Sequence, residues 1–370
     1  MADKKKPNYA LWILLAVVGC MAVCLVCVIV SVLFLRAQSR RPETQAETPG
    51  PPPIVAITTQ TIDLVRELQR IPQPGFVYDV AWSPDGLILA SAVVGTGSEP
   101  GSVQVWEAVS GRKLRSHDQI TIYRLAFSPD GQMLAAAGEN GVIVWSVVDG
   151  NELSNTPLSS FGGRSVAFSP DSRILAYKFQ KTVTLLEMPG GGGLKSFQHT
   201  SDVMGFAFLP DGKSLITAIV PGPEYDETVF TVWDVDSAGT LRTFTLPDGI
   251  GELVIAPDGK SFAAEANSTL KVLDVADGKQ LQSFSGFRFG VPRFAFSPDG
   301  SVLAVGEGIG FEFASPSGLR LLDVATGREV SMLTGHEGVI MDVAFSPDGR
   351  LLATASEDKT VRLWGIPPQK

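Results

Sequence analysis

Histidine and cysteine are scarce, with three of each in 370 residues. Cys20, Cys24 and Cys27 all lie in one apolar stretch near the start, so the rest of the chain has no thiol for disulfide, zinc or nucleophilic chemistry. His117, His199 and His336 leave a Ser-His-Asp arrangement or a His-ligated metal little to draw on. Basic charge is short as well. Residues 1–60 take six of the Lys/Arg and three of the Asp/Glu, leaving 24 against 36 in residues 61–370, a balance that repels a phosphate backbone. The glycine run Gly190 to Gly193 is followed by strand-like sequence and not by a helix, so it makes no phosphate cradle. No cofactor, metal, nucleic acid or catalysis is expected. Paired carboxylates stay open because Asp and Glu are plentiful.

Charge is missing altogether from Ala10 to Leu35, a run of 26 residues. As a helix it measures about 39 Å, more than the roughly 30 Å of hydrocarbon in a bilayer. A cleavable signal peptide carries a shorter apolar region of about 7 to 15 residues, so the sequence predicts an uncleaved single-pass transmembrane helix. Val17-Val18-Gly19-Cys20 has some likeness to a lipoprotein box, but the chain stays apolar beyond it. Residues 1–9 then form a short basic tail and 36–60 a flexible Pro/Thr/Gln-rich linker. Lys4, Lys5 and Lys6 oppose Arg36, Arg40 and Arg41 across the span; the tighter cluster places the N-terminus in the cytoplasm and the remainder outside. The three cysteines share one helix face with Ala16, which would suit weak helix–helix self-association, although apolar filler is the favoured explanation.

What the chain has is repetition. AWSPDG at Ala81, AFSPDG at Ala126, AFSPDS at Ala167, AFLPDG at Ala207, VIAPDG at Val254 and AFSPDG at Ala295 and Ala344 recur at steps of 45, 41, 40, 47, 41 and 49 residues. That period belongs to four-stranded blades. In six of the seven units the first strand ends in an aromatic such as Trp82 or Phe345, and Pro-Asp-Gly, or Pro-Asp-Ser in the third, turns the chain. A Leu-Ala second strand follows, then a third ending in Trp106, Trp145, Trp233 and Trp364, with Leu186, Leu273 and Leu322 standing in. A fourth carries apolar pairs three apart, such as Leu194 and Phe197. The last copy stops after its third strand, and Val65 and Leu68 ahead of the first repeat have the fourth-strand spacing. A strand near 62–68 is therefore expected to close the ring over 61–370.

These units resemble the WD40-repeat family over essentially all of residues 61–370. The last copy is the nearest to the family pattern, with Gly335-His336 before its first strand and Thr360-Val361-Arg362-Leu363-Trp364 at its end. The resemblance implies an all-β, seven-bladed β-propeller, here behind a single transmembrane α-helix and a Pro-rich linker. It also implies that His336, Ser356, Asp358 and Trp364 form a hydrogen-bonded brace. Trp233-Asp234 is the one literal WD pair, so the other blades depart from the pattern.

Length variation is concentrated between strands two and three. From turn proline to the tryptophan position the distances are 22, 16, 16, 23, 16, 24 and 17 residues, so blades one, four and six carry long hairpins at one end of the ring. Loops on a rigid scaffold carry function. The candidate partner-binding residues are Glu99, Tyr225, Asp226, Glu227, Ile309, Phe311 and Phe313, joined by Asp79, Arg124, Glu252, Arg293 and Asp342, three before the strand-one aromatic. Phe311 and Phe313 could equally fold back on their own blade. The sequence points to a membrane-anchored, noncatalytic platform for protein partners. The alternatives are a sensor binding a small molecule, peptide or glycan in the central channel, and a propeller hydrolase.

Overall fold

The structure, a computed structural model, describes residues 55–95, 101–118, 121–158, 165–222, 227–266, 269–287, 293–307 and 317–368. The expected tail, the transmembrane helix over 10–35 and the linker up to residue 54 lie outside these. Among the described residues no helix is long and apolar enough to cross a membrane.

The described residues form seven four-stranded antiparallel sheets, one per repeat. Blade one shows the plan, with strands Phe76–Trp82, Ile88–Val94, Ser102–Glu107 and Arg112–Asp118 in that spatial order. First strands of neighbouring blades touch one another around the axis, so strand one is innermost and strand four outermost. Strands two and three are buried on both faces, as blades sandwiched between blades require. Met133–Gly138 and Ser214–Ile219 have no exposed residue. Small and branched side chains there let adjacent sheets pack closely.

Each Pro-Asp-Gly turn closes as its chemistry demands. In blade one Asp85 Oδ1 accepts the Leu87 N–H at 2.9 Å and the Ser83 hydroxyl, and Gly86 takes φ 71°. Blade three has Ser172 where the others have glycine. It still adopts φ 64°, and its hydroxyl accepts the Asp130 N–H of blade two at 3.0 Å.

A second regularity escaped the sequence reading. In all seven blades the register between strands three and four slips at one place, leaving Leu68, Leu114, Leu153, Leu194, Leu241, Leu281 or Val330 unpaired in the outer strand. The first member of pairs such as Leu194 and Phe197 is thus a bulge residue, which bends the strand and turns the side chain outward, whereas in the expected closing pair Val65 and Leu68 the second member is the bulge. Leu194 is 45% exposed, whereas its partner Phe197 is 2% exposed.

The ring closes as expected in kind, but further along the chain. The closing strand is Arg66–Pro72, paired antiparallel with Thr360–Gly365, and Ile62–Leu64 ahead of it is a 3-10 turn. Val65 and Ile71 are buried, and Leu68 is the bulge. Packing also starts earlier than residue 61. Ile57 donates its N–H to the Gly349 carbonyl at 2.8 Å, and its side chain joins Ile62 and Val65 in the core between blades six and seven. Deleting residues 61–70 removes both the ladder partner of blade seven and this plug. Calorimetry is expected to show a lower, broader transition, and a truncated chain melting as cooperatively as the parent would contradict ring closure.

Candidate protein-interaction face

Strand one brings the charges three residues before its end together by a local device. In blades one, two, four and seven its register jumps at Tyr78, Tyr123, Met204 and Met341. Such a bulge re-aims the following side chain. The residues that follow are Asp79, Arg124, Gly205 and Asp342. With Ser165, Glu252 and Arg293 they surround the axis, lining cavities of about 420 and 210 Å³.

Four of these residues bond to one another across blades, and a fifth, Asp342, holds the backbone of blade one. Asp342 Oδ2 accepts the Val80 N–H at 3.0 Å, and Asp79 Oδ2 accepts the Leu125 N–H at 2.6 Å. Each carboxylate thus holds the innermost strand of the next blade, whose backbone has no ladder partner on that side. Asp79 Oδ1 also receives Arg124 Nη1 at 2.7 Å, while Arg124 Nη2 reaches Glu252, and the other Glu252 oxygen takes Arg293. Arg124 of blade two therefore crosses the channel to blade five. These residues were expected at a partner-binding rim; the structure draws them into an internal network, with Asp79 only 4% exposed.

Three carboxylates face two guanidiniums, and burial decides how that imbalance is met. Burial raises the Asp342 pKa well above the carboxylate range, Asp79 raises it further, and Arg124 and Arg293 oppose both. Asp79 is raised by burial too, against Arg124 and the Leu125 N–H. Because Asp79 holds a guanidinium as well as an N–H, the proton settles on Asp342. Burial also works against charge on Glu252 and Arg124. Arg124 and Arg293 nevertheless bring the Glu252 pKa down, and Glu252 and Asp79 keep Arg124 charged.

The brace of blade seven is present with one member exchanged. Trp364 Nε1–H donates to Thr354 Oγ1 at 2.9 Å, Thr354 lies 2.6 Å from His336 Nε2, and His336 Nδ1 lies 2.7 Å from Asp358 Oδ2. One tautomer satisfies the chain: Thr354 donates to Nε2, and Nδ1–H donates to the carboxylate. Burial lowers the His336 pKa despite the Asp358 hydrogen bond, which keeps the ring neutral. Ser356 was expected in this chain. It lies two residues further along the strand, and its hydroxyl accepts the Asp358 N–H at 3.1 Å. Arg362, 1% exposed, joins Asp358 at 3.3 Å and Glu67 of the closing strand at 2.6 Å.

The signal for Thr354 was in the sequence. Two residues after the strand-two leucine, blades one, four and seven have Ser91, Thr217 and Thr354, and each accepts from its blade's tryptophan. Blade two has Ala136 there, and its Trp145 instead stacks on His117 at 4.3 Å. His199 meets Trp233 edge-on at 5.4 Å, so each histidine sits against a tryptophan.

Of the long hairpins, Glu227 is described and exposed. Glu99, Tyr225, Asp226, Ile309, Phe311 and Phe313 lie outside the described residues. The bases of two hairpins are pinned. Thr228 Oγ1 donates to the Asp248 carbonyl at 2.7 Å and accepts the Ile250 N–H at 2.9 Å, and buried Glu307 pairs with Arg320 at 2.8 Å. Tyr78 and Tyr123, the bulge residues, meet edge to face at 5.6 Å on this same end, and Tyr123 donates to Glu139 at 2.8 Å. Sequence reasoning missed both tyrosines.

The WD domain, G-beta repeat family matches residues 66–107, 109–146 and 327–365. The chain carries WD40 repeats folded as a seven-bladed β-propeller. Among curated proteins it is similar to the human serine-threonine kinase receptor-associated protein, 25% identical over 214 residues, covering 55% of this chain and 58% of that one. It is also similar to the target of rapamycin complex subunit wat1 of Schizosaccharomyces pombe, 26% identical over 179 residues (48% and 43%). Small ribosomal subunit protein RACK1z of Arabidopsis thaliana is 39% identical over 74 residues (20% and 21%). The chain thus spans 58% of the length of the first of these relatives and less of the other two.

Two substitution sets probe these networks. Thr354→Val leaves a buried imidazole nitrogen and an indole N–H unpaired and is expected to cost about 2 kcal/mol, against about 1 kcal/mol or less for Ser356→Ala, in urea unfolding. Equal losses would place the serine in the brace after all. Asp342 prefers its proton in the folded state, so its contribution favours the fold at low pH and is lost as pH rises through the raised value. Asp342→Asn mimics the protonated form. Its melting temperature relative to the parent should therefore climb as the pH rises above the ordinary aspartate value of about 4, and a constant offset would refute the assignment.

Proposed function

We propose that this protein is a membrane-anchored, noncatalytic platform that captures protein partners at the long-hairpin end of its propeller. The observation that carries the reading is the asymmetry of the ring. One end has three long hairpins, two of them with pinned bases, and the other has short turns throughout. A rigid scaffold presenting variable loops is the usual arrangement for recognition. The relatives support it by their names, one receptor-associated, one a complex subunit and one a ribosomal subunit protein.

The channel-sensor reading is weaker on geometry, because Arg124 bridges to Glu252 across the axis and the charges there neutralise one another. The hydrolase reading finds no support in the histidines, each of which packs on a tryptophan. The anchor rests on the uncharged run over 10–35, and the lysine cluster favours a propeller outside the cytoplasm.

Proximity labelling from the full-length protein in its membrane should recover a partner that Phe311→Ser with Phe313→Ser loses by tenfold or more, the effect of removing about 1.4 kcal/mol or more of aromatic contact. Melting should be unchanged. Loss of folding would mean that the phenylalanines belong to their blade, and capture unaffected by the change would move the binding surface elsewhere. Protease added to intact cells should cut the propeller; cutting only after lysis would reverse the orientation.

A further inference from the structure

We propose that the end of the ring opposite the long hairpins rests on the lipid bilayer surface through Leu87, Val109 and Val148, leaving the hairpin end turned away from the membrane. The inference rests on the anchor proposed above.

These three are among the most exposed large apolar side chains described, at 61%, 72% and 84%. Their places in the repeat set them apart. Val109 and Val148 hold the third position after the strand-three tryptophan, where blades four, five and six have Asp236, Ala276 and Ala325. Leu87 holds the fifth position after the strand-one aromatic, where every other blade has Gln, Arg, Lys or Ser. Large aliphatic side chains at these positions are therefore confined to one sector.

Backbone contacts bring the three turns together. Leu87 accepts the Ala108 N–H at 2.9 Å, which sets Leu87 beside the Val109 turn. Arg115, in the outer strand of blade one, donates to the carbonyls of Val147 at 2.9 Å and Val148 at 3.2 Å, holding the Val148 turn against blade one. Rigid turn tips with apolar side chains are shaped to enter the headgroup boundary without refolding.

The path of the chain identifies the occupant. Ile57 bonds to Gly349 in the strand-one turn of blade seven, next to blade one, and Val55 before it is exposed. The chain therefore joins the propeller at this same end. The uncharged run stops at Leu35, twenty residues upstream of Val55. A flexible coil of that length spans about 25 Å, so an anchored chain holds this end at high effective concentration over lipid. A small patch suffices there, whereas a free partner would need a larger one.

The test uses the full chain, with Cys20→Ala, Cys24→Ala and Cys27→Ala, reconstituted in phosphatidylcholine vesicles with a fraction of headgroup-proximal doxyl lipid. A single environment-sensitive fluorophore is attached at Val109→Cys, Val148→Cys, Ala276→Cys or Ala325→Cys. Labels at 109 and 148 should shift to the blue and lose emission to the doxyl lipid, while labels at 276 and 325 do so less. Carbonate extraction is run in parallel. If the protein resists carbonate and all four labels remain unquenched, the docking inference fails and the anchor stands. Release by carbonate overturns the anchor and the inference with it. Protection of 109 and 148 that depends on protein concentration and not on doxyl lipid would assign the patch to a second copy and overturn lipid docking.

Discussion

Closure of the ring by Arg66–Pro72 against Thr360–Gly365 is the interaction on which the other features depend. Seven sheets that share no ladder hold together mainly through side chains, and an open ring would leave blade seven with a bare edge. The closing strand is secured by more than its ladder. Arg362 is buried between Glu67 from one end of the chain and Asp358 from the other, and Asp358 is itself held by His336. Removing one member of such a buried cluster strands an uncompensated charge, at a cost of about 3 to 5 kcal/mol. The repeat nearest the family pattern is thus the one that must bind the chain's two ends together.

Around the axis the same problem recurs in another form. The innermost strands have backbone groups facing a channel and not a neighbouring ladder, and the carboxylates of Asp79 and Asp342 take up the N–H groups of the next blade. Arg124 and Arg293 then balance the buried acids. Charge in the channel is accounted for by the cohesion of the ring, which leaves the hairpin end as the better surface for recognition. Apolar tips at the opposite end fit a protein whose two ends meet different surroundings.

Much of the fold was legible because a blade is specified locally. Aromatic, Pro-Asp-Gly and Leu-Ala recur in register, and each acts through its own backbone or its neighbours in one sheet. The closing strand was legible in kind, since Val65 and the following apolar residues match the outer-strand spacing, but its position was off because a bulge at Leu68 shifts the pattern. The resemblance put the hydroxyl at Ser356; which buried hydroxyl of this strand faces the tryptophan depends on register across the sheet. The hydroxyl that accompanies tryptophan in blades one, four and seven could have resolved it.

By itself the sequence determined the number of blades, the order of strands within each, the end of the ring that bears long hairpins, and the presence of a charge-free run long enough to span a bilayer. These follow from periodicity, turn chemistry and hydropathy, which act over a few residues. Tertiary structure alone decided that Asp79, Arg124, Glu252, Arg293 and Asp342 serve one another. Positions separated by a blade or more in sequence meet only at the axis of a closed ring, where burial makes an unpaired charge costly.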